Sequence, residues 1–224
     1  DAEGLSVSAK AAVLIEADTG RVLFSKNKDM QLPMASTTKI LTALITLESD
    51  GLDDLFVVDE KAIQVEGSSM GLRAGDSASL RTLACGMLLP SGNDAANAAA
   101  VRIGGSIAEF AAIMNQRAAA IGMKNSHFVT PSGLDNEQHY STAYDMAKLA
   151  RVALKNNAFQ DICSRNIAKV EFGNPPYERW LKNHNRLLNE YKGAIGVKTG
   201  FTKKSGRCLV SAAERDGVTL IAVT

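Results

Sequence analysis

The spacing of apolar residues changes twice along the chain, and these changes restrict the folds that it can adopt. Near the start, residues 11–16 and 21–25 read as two strands joined by a turn at Asp18-Thr19-Gly20. Toward the end the strand pattern returns, at 167–172, 194–199, 207–213 and 218–223. We expect the strands at both ends to combine in one sheet. Of the 224 residues 46% are hydrophobic, so the chain can bury a sizeable core.

The residues between these strands follow the helical period instead. Helices are predicted from Ser36 to near Gly51, across 79–122 with breaks at 90–92 and 104–105, and across 142–155. The pattern therefore predicts one α/β domain over residues 1–224. Its sheet part covers about 1–55 and 150–224, and its helical part, inserted between them, covers about 56–149.

Composition argues against several classes of partner. A net charge of +1 gives no general attraction to nucleic acid or to anionic membranes, and an aromatic content of 5% disfavours a platform for stacking bases. No apolar run is long enough to span a membrane. Cys85, Cys163 and Cys208 fit neither a zinc site nor a disulfide framework, and the histidines lack metal-ligand spacing. Neither a metal nor a cofactor is predicted.

The two ends of the chain predict that more sequence exists. The chain begins at Asp1 rather than at methionine, so we expect that a leader was removed or that the start was trimmed. It ends at Thr224, inside a predicted strand, so we expect further sequence after it.

Ser36-Thr37-Thr38-Lys39 places a hydroxyl and an amine at the predicted start of a helix. Residues three apart share one helix face, so the amine of Lys39 can reach the hydroxyl of Ser36. A serine hydroxyl needs a base to become a nucleophile, and a lysine can serve if its ammonium loses its proton easily. Ser25 and Lys28 have the same spacing, but Ser25 ends a strand and enters a turn. The alternative for Ser36 is a simple helix N-cap.

Two further motifs follow in order. Ser91-Gly92-Asn93 lies between two predicted helices, where polar side chains can project into a cleft, and Lys198-Thr199-Gly200 closes an apolar strand. Alone, the first could be an ordinary helix cap and the second a solvated lysine. Gly200 is expected to let the backbone of another molecule approach the strand. A helix start, an interhelical loop and a strand end in this order are hard to obtain by accident, and together they favour acyl transfer through a serine intermediate.

A trio of this kind, with aspartate in the middle motif, marks penicillin-binding proteins and class A β-lactamases. The chain resembles the low-molecular-weight penicillin-binding proteins that act as serine D-alanyl-D-alanine carboxypeptidases. This resemblance implies a β-lactamase/transpeptidase-like α/β fold, in which an antiparallel sheet of N- and C-terminal strands is flanked by helices and carries a helical insert. It covers nearly the whole length and includes five segments: Lys10-Ala11-Ala12, Asp18-Thr19-Gly20-Arg21, Gly67-Ser68-Ser69-Met70-Gly71, 89–96 and 139–146.

The resemblance implies a chemical role for four residues. Ser36 would attack the carbonyl between the two terminal D-alanines of a peptidoglycan stem peptide, and Lys39 would accept the hydroxyl proton. Ser91 and Asn93 would relay the proton to the leaving amine and hold the substrate amide. Burial and the positive charge of Lys198 would keep Lys39 partly neutral.

Substrate binding is assigned by the same resemblance. Lys198 and Thr199 would bind the terminal carboxylate of the substrate. The backbone N–H groups of Ser36 and of Phe201, which follows Gly200, would hold the oxyanion. A basic residue before the strand is expected to help at the carboxylate, with two candidates between which the sequence does not choose: His184 and Arg186.

Partners and location are also expectations from the resemblance. β-Lactams are expected to acylate Ser36 and to leave slowly. The protein is expected outside the cytoplasmic membrane, on the cell-wall side, as a secreted hydrolase of peptidoglycan biosynthesis that affects cell shape. A C-terminal β domain and an amphipathic anchor, common in the family, are not in residues 1–224, so any membrane association would depend on other segments.

Two other functions remain as alternatives. A serine β-lactamase needs a fast deacylating base, for which Glu171 is a faint candidate that lies close to Lys198 in sequence and at a predicted strand end. A non-catalytic scaffold that binds the cell wall would keep the fold without the chemistry, and the intact motifs argue against it.

Overall fold

Strands occupy both ends of the chain, and helices occupy most of the middle. The computed structural model describes residues 6–224. In that range the strands are β1 (Ala12–Glu16), β2 (Val22–Lys26), β3 (Phe56–Val57), β4 (Ser77–Ala78), β5 (Ile167–Gly173), β6 (Pro176–Lys182), β7 (Ala194–Thr202), β8 (Gly206–Arg215) and β9 (Val218–Val223). The helices of the same range are α1 (Lys39–Glu48), α2 (Leu80–Leu88), α3 (Asn93–Gly104), α4 (Ile107–Ile121), α5 (Ala143–Ala153), α6 (Asn157–Cys163) and α7 (Leu187–Glu190), with a 3₁₀ turn at Ala35–Thr38.

The two ends of the chain meet in a five-stranded antiparallel sheet of order β2-β1-β9-β8-β7. Strand β1 pairs with β9, with Val13 opposite Val223 and Ile15 opposite Ile221. These four side chains are buried. The predicted α/β fold with a sheet of N- and C-terminal strands is therefore confirmed.

A second sheet, of order β3-β4-β5-β6, corrects the prediction at two points. The strand predicted at 167–172 does not join the main sheet but pairs with β6. Strand β6 was not predicted from the sequence, because Leu181 is its only fully buried side chain and the apolar alternation is correspondingly weak. The region predicted as helical also contributes the two short strands β3 and β4.

Helix α1 forms the centre of the helical layer. All of its residues except Glu48 are buried, which is the behaviour of a helix that is apolar around its whole circumference. It contacts helices α2 to α6, while α5 packs on β1 and β9. The start of α1 is consequently held on every side.

The start of α1 differs from the prediction in one respect. Ser36 lies not in the α-helix but in the preceding 3₁₀ turn, whose first residue, Ala35, has a φ of +48°. Left-handed backbone is uncommon for a residue with a side chain and persists only where the surroundings hold it. Gly133, at φ +86°, provides part of that support, since a Cβ added there would lie 2.0 Å from the carbonyl oxygen of Ala35.

We predict that Gly133→Ala destabilises the protein far more than Gly75→Ala. Gly75 has a similar φ of +83° but open space around the added Cβ. The control should cost about 1–2 kcal/mol of unfolding free energy from backbone strain alone, and Gly133→Ala about 1–3 kcal/mol more from the clash with Ala35. Urea unfolding of the two variants measures the difference, and equal values would contradict the proposed support of the turn.

Candidate active site

The Ser36 hydroxyl lies beside the amine of Lys39. Lys39 Nζ is 2.9 Å from Ser36 Oγ, and the lysine side chain is fully buried while Ser36 is half-buried. The 3₁₀ turn presents Ser36, and the first residue of α1 presents Lys39 on the same face. The structure thus brings together the hydroxyl and the amine that the first motif predicted.

Two other contacts orient the Lys39 amine. Nζ donates hydrogen bonds to Asn93 Oδ1 and to the carbonyl oxygen of Ser132, both at 2.7 Å. A neutral amine has two N–H bonds and one lone pair, so these two acceptors leave the lone pair facing Ser36 Oγ. The part played by Ser132 was not predicted from the sequence, in which its segment reads only as a loop, because a backbone carbonyl leaves no signature in the residue type.

Burial keeps the Lys39 amine easy to deprotonate. Desolvation lowers the pKa of Lys39 well below its usual value of 10.5, and the positive charge of Lys198 lowers it further. The carboxylate of Asp94 acts in the opposite direction and raises it. The net effect favours the neutral amine that a general base requires.

A second buried amine lies on the other side of the site. Lys198 Nζ donates to Ser91 Oγ and to the Thr199 carbonyl oxygen, both at 2.9 Å, and its side chain is 1% exposed. Burial lowers the pKa of Lys198 to about 7. Ser91 and Thr199 line the cleft, and Lys198 lies behind them, joined to the cleft wall through the Ser91 hydroxyl.

Asn93 has both ends of its amide engaged within the protein. Its Oδ1 accepts from Lys39, and its Nδ2 donates to the carbonyl oxygen of Glu66 at 2.7 Å. One N–H of Nδ2 and one lone pair of Oδ1 are not used by these two bonds, so the expectation that Asn93 holds a substrate amide stays a prediction. The geometry adds a role in orienting Lys39.

Gly200 lies against the nucleophile turn of its own chain. A Cβ at this position would be 3.0 Å from the backbone nitrogen of Ser36 and 3.1 Å from that of Thr37. The backbone seen close to this glycine is that of its own chain. Gly200 also lines the cleft, so the expectation that it admits the backbone of another molecule stays a prediction. The close fit also brings the strand that carries Phe201 next to the Ser36 N–H, where the predicted oxyanion site would lie.

An open cleft of about 570 Å³ runs along β7, which is an edge strand of the main sheet. Pockets of this size hold small ligands or chain ends. Its walls carry residues from all three motifs together with polar and aromatic neighbours: Ser36, Ser68, Ser91, His184, Thr199 and Phe201.

The two basic candidates before β7, His184 and Arg186, differ in their position relative to the cleft. His184 lines the cleft, and burial, followed by the charge of Lys198, lowers the pKa of its imidazole. Arg186 is not among the lining residues, and its guanidinium pairs with Glu190 on the surface at 2.7 Å. Of this segment, His184 therefore faces the site and Arg186 does not.

His139 supports the site although its role was not predicted from the sequence. Its Nδ1 accepts from the Val129 N–H at 2.9 Å, so the proton is assigned to Nε2, which donates to Thr38 Oγ1 at 2.8 Å. Burial lowers the pKa of His139 to about 4, and the imidazole stays neutral at ordinary pH. Its contact fixes Thr38, the last residue of the 3₁₀ turn, which directly precedes Lys39.

The rival motifs lie elsewhere. Ser25 is on β2, and Lys28 pairs with Asp29 rather than with Ser25. Ser164-Arg165-Asn166 has the same spacing as Ser91-Gly92-Asn93, but it lies at the end of α6, where the Ser164 hydroxyl donates to the Asp161 carbonyl oxygen at 3.1 Å. Glu171, the candidate deacylating base, is exposed on β5 opposite Glu178 and does not line the cleft.

Known proteins match the chain over its whole length. The model of the peptidase S11 family, described as D-alanyl-D-alanine carboxypeptidase, matches residues 1–224. D-alanyl-D-alanine carboxypeptidase DacF of Bacillus subtilis is 38% identical over 98% of this chain and 57% of its own length. DacB2 of Mycobacterium tuberculosis is 37% identical over 95% of this chain and 73% of its own. The chain thus spans little more than half of the first relative.

Solved structures agree with this match. The Streptomyces K15 DD-transpeptidase has a TM-score of 0.92 and 33% identity, covering 98% of this chain and 90% of that one. The D-alanyl-D-alanine carboxypeptidase DacD of Francisella tularensis has a TM-score of 0.90 and 32% identity, covering 98% and 66%. The chain shares their α/β fold and belongs to the peptidase S11 family of D-alanyl-D-alanine carboxypeptidases.

Proposed function

We propose that this chain hydrolyses the terminal D-Ala-D-Ala bond of peptidoglycan stem peptides through an acyl-enzyme on Ser36. The observation that carries the proposal is the buried amine of Lys39, 2.9 Å from Ser36 Oγ, with its two N–H bonds committed to Asn93 and Ser132. An amine oriented in this way can accept a proton only from the direction of Ser36. The family to which the chain belongs supports the choice of substrate.

Acylation begins when the Ser36 hydroxyl gives its proton to Lys39 Nζ. Ser36 Oγ then attacks the carbonyl of the penultimate D-alanine, and the carbonyl oxygen gains negative charge. The N–H groups of Ser36 and Phe201 would stabilise that oxygen, and such a donor is commonly worth about 3 kcal/mol of barrier. Gly200 makes this arrangement feasible by letting β7 approach Ser36 closely.

The leaving D-alanine needs a proton on its amine as the peptide bond breaks. The Ser91 hydroxyl lies on the cleft wall and is bonded to Lys198 Nζ, so it can give up its proton and be reprotonated from the lysine side. The proton that Lys39 took from Ser36 must then replace the one lost by the Ser91–Lys198 pair, so that one proton in all moves from Ser36 to the leaving amine and the Lys39 amine is neutral again. It can then accept a proton from the water that releases the acyl group.

Recognition of a free chain end would depend on Thr199, on the nearby charge of Lys198 and on His184. Thr199 and His184 line the cleft, and the Lys198 ammonium lies just beneath it. A peptide laid along the edge strand β7 would gain backbone hydrogen bonds as an added strand. The terminal carboxylate would then lie where the positive potential is highest.

Partners and location follow from the proposed substrate. The partners are peptidoglycan stem peptides and β-lactams that acylate Ser36, and the site of action is the cell-wall side of the bacterial membrane. A role in peptidoglycan biosynthesis and cell shape is part of the same proposal. Among residues 6–224, no helix combines the length and apolar character needed to cross a membrane.

Replacing the nucleophile tests the proposal directly. We predict that Ser36→Ala lowers the rate of D-alanine release from a D-Ala-D-Ala peptide by about 10³-fold or more, because no oxygen remains to form the acyl-enzyme. The matched control is Ser25→Ala, which changes the serine of the rival Ser25–Lys28 pair and should keep full activity. Release that survives in Ser36→Ala would exclude the proposed mechanism.

Penicillin distinguishes the proposed enzyme from its alternatives. We expect one covalent adduct per chain, located at Ser36 by peptide mass spectrometry and persistent for many minutes, because Glu171, the candidate deacylating base, does not line the cleft. Rapid turnover of a chromogenic cephalosporin would indicate a β-lactamase. No adduct at all would indicate a scaffold.

The neutral amines predict a pH dependence of stability. The pKa of Lys198 falls to about 7 on folding from an unfolded value of about 10.4, so the unfolded state binds more protons between these values. The stability contributed by the neutral amine is complete above about pH 10.4 and declines as the pH falls toward about 7. The unfolding free energy of the protein should therefore rise between about pH 7 and about pH 8. Above about pH 8.5 the buried thiols of Cys85 and Cys163 act in the opposite direction, because burial raises their pKa to about 11 and about 12.

Two lysine variants separate this effect from other titrations. Lys198→Met should reduce the rise, since Lys39 alone then contributes, and Lys203→Met, which changes an exposed lysine in the turn after β7, should leave it unchanged. Urea unfolding at several pH values gives the slopes. Equal slopes in Lys198→Met and the unaltered protein would show that Lys198 is protonated in the folded state.

A further inference from the structure

The carboxylate of Asp94 is the most heavily hydrogen-bonded acidic group near the site, and the proposed mechanism does not use it. Its side chain is 1% exposed. Oδ2 accepts from the Ser69 hydroxyl at 2.6 Å and from the N–H groups of Gly71 and Leu72 at 3.0 Å each. Oδ1 accepts from the Met70 N–H at 2.9 Å. Asp94 thus holds four donors from one short segment, residues 69–72.

The same segment of chain holds Asn93 in place. The backbone N–H of Asn93 donates to the Ser68 carbonyl oxygen at 2.7 Å, and the side-chain Nδ2 donates to the Glu66 carbonyl oxygen at 2.7 Å. The fit is close, because a Cβ on Gly67 would lie 2.7 Å from that Nδ2. Residues 66–68 therefore determine the direction in which the Asn93 amide points.

A chain of contacts then leads from Asp94 to the nucleophile. Residues 69–72 are bound to Asp94, the adjoining residues 66–68 are bound to Asn93, Asn93 Oδ1 is bound to Lys39 Nζ, and Lys39 Nζ faces Ser36 Oγ. We propose that Asp94 is a positioning residue for acyl transfer, which acts through the 66–72 segment to hold Asn93 and hence the lone pair of Lys39 in line with Ser36. This inference rests on the proposed function.

The carboxylate cannot be replaced by a close relative without loss. An asparagine at this position would turn an NH₂ group toward N–H and O–H donors that need an acceptor, leaving buried donors unpaired. A glutamate would add a methylene to a side chain that is 1% exposed, and an insertion into such a packed position forces neighbouring groups to shift. The site is therefore built for an ionised aspartate.

The test compares Asp94→Asn with Asp76→Asn. Asp76 is a second buried carboxylate close by, but it accepts from the Arg73 N–H and makes no bond to residues 66–72 or to Asn93. The readouts are the second-order rate constant for acylation by a fluorescent penicillin across acid and alkaline pH, amide hydrogen exchange at Met70, Gly71 and Leu72, and the melting temperature.

For Asp94→Asn we expect a plateau acylation rate about ten- to a hundredfold lower, as for a small misplacement of a catalytic group, together with faster exchange at residues 70–72. Asp76→Asn should lower the melting temperature but keep the acylation rate and the slow exchange. The pH profile distinguishes a change in the position of Lys39 from a change in the charge near it. Loss of the Asp94 charge alone would lower the pKa of Lys39 and move the acid limb to lower pH without lowering the plateau.

Ser69→Ala provides a test that keeps the buried charge, should Asp94→Asn fail to fold. It removes the hydroxyl that joins Asp94 Oδ2 to the Gly71 N–H. It should also lower the plateau acylation rate, by a smaller factor than Asp94→Asn. Its control is Ser79→Ala, which removes the N-cap of α2.

Three outcomes would overturn the proposal: a plateau rate for folded Asp94→Asn equal to that of the unaltered protein, equal slowing in Asp94→Asn and Asp76→Asn, or equal acylation by Ser69→Ala and Ser79→Ala. Failure of the proposed function has a different signature, since the unaltered protein would then form no adduct at Ser36.

Discussion

The whole site depends on keeping two lysine amines out of water without an ion pair to either. Lys39 and Lys198 are buried, and within residues 6–224 their hydrogen bonds go to hydroxyl, amide and carbonyl oxygens rather than to carboxylates. Desolvation that is not offset by an ion pair lowers the pKa of an amine. The fold thereby converts a residue that is normally an exposed cation into a base, at a cost in folding free energy that the core around α1 must offset.

The internal contacts of the site explain why so few of its polar groups face the cleft. Asn93 and Lys198 act on other protein groups, and the cleft wall itself offers the hydroxyls of Ser36, Ser91 and Thr199. Hydroxyls donate and accept equally well, so such a wall can pass protons in both directions. The amines behind it decide the direction, because burial lowers the pKa of both from the usual alkaline range.

The sequence predicted the helices and strands better than it predicted which of them pair or pack with one another. The breaks at 90–92 and 104–105, the terminal strands and the convergence of the motifs all correspond to features of the structure, because periodicity and turn residues are local signals. Three features had no local signal. The first is strand β6 and hence the separate sheet that it forms with β5, because β6 has only one fully buried side chain. The others are the Ser132 carbonyl, which any residue would supply, and the left-handed Ala35, which depends on tertiary packing that includes Gly133. His184 and Arg186 could be distinguished only once their neighbours were known.

The pairing of β1 with β9 has a consequence for how the molecule forms. β1 (Ala12–Glu16) takes its place between β2 and β9 only once residues 218–223 have been synthesised. Contacts so distant in sequence are slow to form, because the loop-closure entropy must be overcome before they contribute. Until then one edge of β1 has no partner strand, and the nascent polypeptide stays incompletely folded and open to chaperones. Only when β9 forms is the N-terminal hairpin joined through β8 to β7, the strand that borders the cleft.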